Sequence, residues 1–211
     1  MSDPFDLKPY IRTVEHYPID GVTFRDITSL LEAPTAFARA SHEMTKLCAE
    51  FDPTVIASIE SRGFVFAGPL ARDLALPLVL ARKPGKLPNA AFSRAFDLEY
   101  GSTALEIQKN TTLTRQDKVV IVDDLIATGG TAIACAELLN EHFAVAKQNI
   151  LILAMIDPAL SGTDFNKTIE YTYSFISTSG VGFMGFFVSM LYYGLKYFTE
   201  NNQFVQVTFL G

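Results

Sequence analysis

The sequence predicts an α/β fold in which a central, mostly parallel sheet is flanked by helices. Residues 54–76 and 119–143 each join an apolar run to an apolar-faced helical stretch through a loop that contains glycine. Aliphatic runs without polar alternation are typical of strands buried on both faces, as parallel strands are. Residues 77–81 and 149–156 are further apolar runs of strand length, and we predict them as additional strands.

Length, charge and cysteine usage narrow the possible classes of protein. A chain of 211 residues can form one sizeable core with a small appended lobe. A net charge of −6 argues against sequence-independent nucleic-acid binding, which depends on Lys and Arg. Cys48 and Cys135 lie in amphipathic stretches without metal-ligand spacing, which predicts buried thiols. With a start that lacks the regions of a signal peptide, these thiols predict a cytoplasmic location.

Residues 1–33 are predicted to form a small N-terminal lobe, because prolines and a turn interrupt any long element. Inside this lobe Phe24 stands beside Arg25, a pair that can stack on a flat base and donate planar hydrogen bonds to it. The alternative is a short strand in which Phe24 is buried and Arg25 pairs with Asp26. A helix is predicted next, over residues 34–51.

Two basic segments are candidate anion sites. Ser61 and Arg62 lie between a predicted strand and the start of a helix, where backbone N–H groups and the helix dipole favour phosphate. The alternative is a surface arginine. Arg82, Lys83 and Lys86 follow the next strand, and ligands bind at such carboxyl ends in open α/β sheets. These three cations are sufficient to neutralise a pyrophosphate, although solvated basic faces are common.

Residues 89–97 have neither a helical nor a strand period, which predicts a long mobile loop that closes over the site. The loop leads to Glu99. A glutamate in a site can serve as a general acid or as a hydrogen-bond partner. A lone glutamate is more often simply solvated, and spacing alone does not decide between these roles.

The stretch from residue 119 to residue 131 predicts a phosphate cradle next to an acidic pair. Its glycines let the backbone approach an anion at a helix N-terminus. Asp123 and Asp124 would repel that anion unless they bind a sugar diol or Mg²⁺, which suits a sugar phosphate along the strand end. An ordinary acidic turn is the alternative. The predicted cradle consists of Ala127, Thr128, Gly129, Gly130 and Thr131.

Residues 177–211 form an atypical apolar tail. Residues 180–195 are sixteen residues without a charge, slightly short of the roughly 20 needed to span a bilayer. We expect a buried or dimer-covering helix, with a membrane-associating tail or an out-of-frame tail as alternatives. The Gly-x-Gly-x-x-Gly pattern at residues 180–185 is interpreted as chance, because no complete βαβ unit fits in what remains.

These motifs, in this order, resemble those of the adenine phosphoribosyltransferases of the type I phosphoribosyltransferase family. The match extends from Tyr17 to about Ile176. The resemblance implies a type I phosphoribosyltransferase fold with an N-terminal hood at residues 1–33 and a core at residues 34–176. It also implies a homodimeric purine-salvage enzyme that converts adenine and phosphoribosyl pyrophosphate to AMP and pyrophosphate with Mg²⁺.

The resemblance also assigns expected roles to the candidate residues. Asp123 and Asp124 would hold the ribose hydroxyls, and the cradle at residues 127–131 would hold the 5-phosphate. Mg²⁺ would be held mainly by the substrate, with one of the two aspartates as the candidate protein ligand. Glu99 would act at N7 of adenine. The pyrophosphate-binding group would be Ser61, Arg62, Arg82, Lys83 and Lys86, and the adenine-binding group Thr23, Phe24 and Arg25.

Two other functions are compatible with the same motifs. One is transfer to another base such as hypoxanthine. The other is a non-catalytic regulator that senses phosphoribosyl pyrophosphate, although the chain offers no added DNA-binding segment.

Overall fold

A computed structural model describes residues 7–98, 101–126, 129–156, 194–198 and 204–209. The chain divides into two compact units, Met1–Met44 and Thr45–Gly211. In the N-terminal unit, the short strands β1 (Arg12–Val14) and β2 (Phe24–Asp26) pair antiparallel. The short helix α1 (Thr28–Leu31) follows, and the long helix α2 (Pro34–Glu50) continues into the second unit.

The second unit contains the predicted parallel sheet. Its strands are β3 (Val55–Ile59), β4 (Leu78–Ala81), β7 (Val119–Leu125) and β8 (Ile150–Ile156), and all four were expected from the sequence. They lie in the order β4-β3-β7-β8 with parallel pairing throughout. Every residue of β3 and β8 is buried, which explains the uninterrupted aliphatic runs.

Two helices cover the sheet. Helix α3 (Gly63–Leu74) follows β3 and packs against β3 and β7. Helix α4 (Gly130–Phe143) follows β7 and contributes Cys135, Leu138 and Leu139 to the main hydrophobic cluster. Because both loops after β3 and β7 emerge at the carboxyl ends of adjacent parallel strands, they meet at one edge of the sheet.

The prediction of a mobile loop over residues 89–97 was wrong. Strands β5 (Ala91–Leu98) and β6 (Gly101–Gln108) form an antiparallel hairpin. Arg94 binds two glutamates of α4, with Nη2 2.7 Å from Glu137 and Nη1 2.5 Å from Glu141. Phe92 stacks on His142 of the same helix at a centroid distance of 4.2 Å. The strand pattern was hidden because Arg94 interrupts the apolar face, and the ion pairs offset that interruption.

Part of the tail joins the same sheet. Strand β10 (Phe204–Phe209) pairs parallel with β8, and β9 (Gly194–Phe198) pairs antiparallel with β10. The expected helix over residues 180–195 lies outside the described residues, apart from the two that begin β9. The turn at residues 157–162 also lies outside them. Among the described helices, none combines the length and apolar composition that a bilayer span requires.

Both cysteines are buried thiols, as predicted. Burial raises the pKa of Cys48 to about 12. Burial, with a smaller contribution from the charge of Asp123, raises the pKa of Cys135 to about 12 as well. Both side chains are therefore protonated and unreactive near neutral pH.

Candidate active site

A cavity of about 320 Å³ lies at the carboxyl ends of β3, β4 and β7. Eight residues from three separate sequence motifs line it together. They are Ser61, Arg62, Lys83, Asp123, Asp124, Gly129, Gly130 and Thr131. The α/β topology thus brings into one cavity the groups that the sequence suggested for a sugar diol, a 5-phosphate and a pyrophosphate.

Asp123 and Asp124 end strand β7 inside this cavity. The backbone N–H of Asp124 donates to Oδ1 of Asp123 over 2.9 Å. Burial, reinforced by the neighbouring Asp124 charge, raises the pKa of Asp123 well above its usual range. Burial also raises the pKa of Asp124, although the Arg62 charge acts to lower it. Two carboxylates held this close in a dry cavity are suited to accept hydrogen bonds from a diol.

Arg62 is the cation nearest to this acidic pair. Its Nε lies 3.1 Å from Oδ2 of Asp124, whose side chain is only 3% exposed. That oxygen nevertheless has no hydrogen-bond donor in good alignment. The contact is therefore an ion pair that leaves the lone pairs of Asp124 Oδ2 available for a better-aligned donor.

The start of α4 provides the anion-binding end of the cavity. Gly129 occupies the N-cap position with a φ of +81°, in the left-handed region that glycine adopts without strain. No side chain caps this helix, and its first turn carries no acidic residue. The backbone N–H groups of the first turn have no partner within the helix, so they are suited to bind a phosphate.

Gly63 explains how the Arg62 loop fits against the acidic strand. A Cβ placed on Gly63 would lie 2.6 Å from the carbonyl oxygen of Val122 and 3.2 Å from Cα of Asp123. Only glycine lets α3 begin this close to β7. This contact brings the residue before it, Arg62, to the carboxylates.

The three basic residues of the 82–86 loop do not share one role. Of the three, Lys83 lines the cavity. Arg82 instead pairs with Glu60, with Nε 3.1 Å from Oε2, and donates from Nη1 to the carbonyl of Lys86 over 2.9 Å. The sequence analysis did not assign a role to Glu60, which also lines the cavity. Its position directly before Ser61 was the available signal.

The β5–β6 hairpin supplies another wall of the cavity. Phe96 from β5 and Thr103, Ala104 and Leu105 from β6 line it. The anchored hairpin thus occupies the place where the sequence predicted a mobile loop. None of these four residues was identified from the sequence, because a strand pairing so soon after an unrecognised strand gave no separate signal.

The proposed adenine-binding residues belong to the N-terminal unit and are described within it. Phe24 packs edge-to-face on Tyr17 at a centroid distance of 5.1 Å. Thr23 donates to Glu15 over 2.7 Å, and Arg25 donates to the hydroxyl of Thr13. The expected Arg25–Asp26 pair is replaced by a pair between Arg12 and Asp26. Three other proposed site residues, Glu99, Ala127 and Thr128, lie outside the described residues.

The family is identified by sequence comparison. The model of the phosphoribosyl transferase domain matches residues 26–154, which include the acidic pair, the glycine cradle and both basic loops. The chain belongs to the phosphoribosyltransferase family, as the resemblance of its motifs predicted.

Individual relatives narrow this class to the adenine phosphoribosyltransferases. The adenine phosphoribosyltransferase of Butyrivibrio fibrisolvens is 48% identical over 165 residues, which cover 78% of this chain and 88% of the relative. The Giardia lamblia enzyme, solved with 9-deazaadenine, matches with a TM-score of 0.69 and 34% identity over 74% of this chain and 85% of its own. The Saccharomyces cerevisiae enzyme, solved with an imino-altritol bisphosphate and adenine, gives 0.64 and 32% over 73% and 88%.

Proposed function

We propose that this chain transfers the phosphoribosyl group of phosphoribosyl pyrophosphate to adenine and so forms AMP and pyrophosphate in purine salvage. The observation that carries the proposal is the convergence of an acidic pair, an uncapped helix N-terminus and two cations in one cavity. The relatives named above are adenine phosphoribosyltransferases, which supports adenine as the base.

The cavity suggests how the sugar substrate is oriented. In this proposal the 5-phosphate binds the first turn of α4, and the ribose hydroxyls donate to Asp123 and Asp124. The pyrophosphate then lies toward Arg62 and Lys83. Breaking the bond from C1 to the pyrophosphate leaves a positive sugar and a strongly negative leaving group, so cations on the leaving-group side stabilise the transition state. The hairpin wall reduces access of water to the sugar cation.

Mg²⁺ fits this arrangement as a partner of the substrate. Carboxylate oxygens are ligands that Mg²⁺ prefers, and the buried Asp124 Oδ2 has no aligned donor. Asp123 and Asp124 are the residues proposed to contact a substrate-bound ion. When bound, the ion would offset the negative charge of the pyrophosphate.

Base recognition and proton transfer are assigned by the resemblance alone. Thr23, Phe24 and Arg25 are proposed to contact adenine, since an aromatic ring and a planar guanidinium suit a flat base. Glu99, between β5 and β6 in the sequence, is proposed to act at N7. We also propose a cytoplasmic homodimer, which sedimentation of the purified chain tests directly.

The decisive experiment measures AMP formation from adenine and phosphoribosyl pyrophosphate with Mg²⁺. Hypoxanthine and guanine are assayed in parallel, and we expect AMP formation to dominate. A chelator should stop the reaction, and added Mg²⁺ should restore it. The double variant Asp123→Asn with Asp124→Asn should retain its circular dichroism spectrum and lose nucleotide formation.

Other outcomes would change the proposal in specific ways. Preference for hypoxanthine would assign another base to the site. Binding of phosphoribosyl pyrophosphate without turnover of any base would favour a sensor. Ordinary activity in the double aspartate variant would contradict the sugar site itself.

A further inference from the structure

We propose that Glu60 is a positioning residue that holds the 82–86 loop so that Lys83 faces the pyrophosphate. Arg82, in this view, is a strut of the loop and not a ligand of the anion. The inference rests on the proposed function, because it concerns the pyrophosphate half of that substrate.

The contacts of Glu60 join the two loops that approach the cavity. Its Oε2 accepts hydrogen bonds from Nε of Arg82 over 3.1 Å and from the backbone N–H of Lys83 over 3.0 Å. Its own backbone N–H donates to the carbonyl of Ala81 over 2.9 Å. One residue therefore fixes both the main chain and the side chain at the entrance to the loop.

Arg82 extends this brace to the far end of the loop. Its Nη1 donates to the carbonyl of Lys86, so one guanidinium connects Glu60 with the residue four positions along the chain. The charge of Arg82 is matched by Glu60 at 3.1 Å. Lys83 is then the residue of the loop whose charge reaches the cavity.

A second carboxylate secures the loop from the opposite side. Oε2 of Glu106 accepts from the backbone N–H of Gly85 over 3.1 Å. The main chains of Glu106 and Arg82 also exchange hydrogen bonds of 2.9 and 2.7 Å. Because this support comes from strand β6, the loop can remain folded when the Glu60 side chain alone is altered.

The ionisation of Glu60 agrees with this role. Burial acts to raise its pKa, but the hydrogen bonds from Lys83 and Arg82 leave the pKa below its ordinary value. The group is therefore a carboxylate at neutral pH. A carboxylate in an anion site would weaken pyrophosphate binding by charge alone, whereas positioning strengthens it. The two effects have opposite signs, so a substitution separates them.

The experiment measures the binding of inorganic pyrophosphate with Mg²⁺ by calorimetry in the full-length chain. Positioning predicts that Glu60→Ala weakens binding roughly tenfold or more, the loss typical of a charge-assisted hydrogen bond. Glu60→Gln keeps an acceptor oxygen and should recover most of that loss. Glu43→Ala is the matched control, because Glu43 pairs with Arg39 at the same 3.1 Å on α2 and should leave binding unchanged.

A double-mutant cycle tests whether Glu60 acts through Lys83. Lys83→Gln alone should weaken binding by a similar factor, and adding Glu60→Ala to it should cost less than about twofold. Tighter binding in both Glu60 variants would show that only charge matters and would overturn the inference. Equal losses in Glu60→Gln and Glu60→Ala, or additive losses in the cycle, would do the same.

The outcome for the unaltered chain separates the two proposals. If it forms AMP and the Glu60 variants bind pyrophosphate normally, only the positioning role fails. If it binds no pyrophosphate, the proposed function fails as well. Should Glu60→Ala not fold, the comparison of Glu60→Gln with Lys83→Gln still decides, since positioning predicts a small loss for the first and a large one for the second.

Discussion

Arg62 faces the buried Asp124 with 3.1 Å between Nε and Oδ2, and the two residues are proposed to bind opposite halves of one substrate. Before substrate arrives, each side chain therefore neutralises the other. When the substrate binds, ribose hydroxyls replace the guanidinium at Asp124, and Arg62 meets the leaving group. The ion pair thus keeps a buried carboxylate tolerable in the empty site.

Removing Arg62 should destabilise the protein in a pH-dependent way. Arg62→Ala leaves Asp124 buried without its cation, at a cost of about 1–2 kcal/mol. This is less than the roughly 3–5 kcal/mol of a fully buried pair, because the Arg62 side chain is 41% exposed. The loss should be large at pH 9 and small at pH 5, where protonation of Asp124 removes its charge. Denaturant unfolding of Arg62→Ala measures it. Arg72→Ala, which alters an exposed pair with Asp73, is the control and should change little at either pH.

Asp123 should destabilise the folded state as the pH rises. Its folded-state pKa is raised to about 8, so the folded chain holds a proton that the unfolded chain releases near pH 4. Stability is therefore highest below the unfolded pKa and falls as the pH increases toward 8. Asp123→Asn should raise the melting temperature at pH 8 by a few degrees, where ~1 kcal/mol corresponds to about 2–4 °C, and change little at pH 4.

Asp117 provides a control of opposite sign. Burial acts to raise its pKa, but hydrogen bonds from Thr54 and Thr114 lower it below 3.8. Its stabilising effect is present above the unfolded pKa and is lost as the pH falls through the folded value. Asp117→Asn should therefore destabilise the protein at pH 7. If both substitutions shifted stability in the same direction at pH 7–8, the raised pKa of Asp123 would be contradicted.

Gly63→Ala should be costly, because the new Cβ would lie 2.6 Å from a backbone oxygen that cannot rotate away. We expect a loss of about 1–3 kcal/mol and reduced activity as α3 and Arg62 shift. Gly68→Ala in the same helix is the matched control, since nothing lies within 4 Å of its Cβ apart from its chain neighbours. Its position before Pro69 adds some crowding, so the control change should stay within about 1 kcal/mol. Chemical unfolding measures both, and equal losses would contradict the close-approach explanation.

Arg94→Ala should loosen the β5–β6 hairpin without unfolding the chain. It removes both ion pairs that connect β5 to Glu137 and Glu141 of α4. Amide hydrogen exchange in the hairpin should become faster, while exchange in β7 and β8 stays the same. Arg39→Ala, which breaks a pair within α2, is the control. Uniform acceleration across all strands would show that the pairs stabilise the whole unit and not the hairpin alone.

Glu99→Gln should lower turnover far more than it weakens the binding of phosphoribosyl pyrophosphate. A general acid or proton partner contributes roughly 10²–10⁴ in rate, whereas the proposed contacts to the sugar and pyrophosphate come from other residues. Steady-state kinetics and direct binding of the substrate separate the two effects. A parallel loss of both would contradict a role at the purine.

The parallel sheet was predictable because each of its four central strands is a short, uninterrupted aliphatic run. The cavity followed from topology, since Arg62, Lys83 and Asp124 all stand just after such strands. The hairpin was missed because Arg94 breaks the apolar face of β5, and its compensating glutamates lie more than forty residues away on α4. Glu60 was missed for a related reason, because its role depends on the backbone N–H of Lys83, a partner that sequence spacing does not reveal.

The two buried thiols have a practical consequence for following the hairpin. The sequence contains only Cys48 and Cys135, and both are protonated and enclosed at neutral pH. A cysteine introduced at the exposed Ser93 of β5 would therefore react selectively with a maleimide dye in the otherwise native chain. Fluorescence from that single label would report hairpin movement as substrate binds.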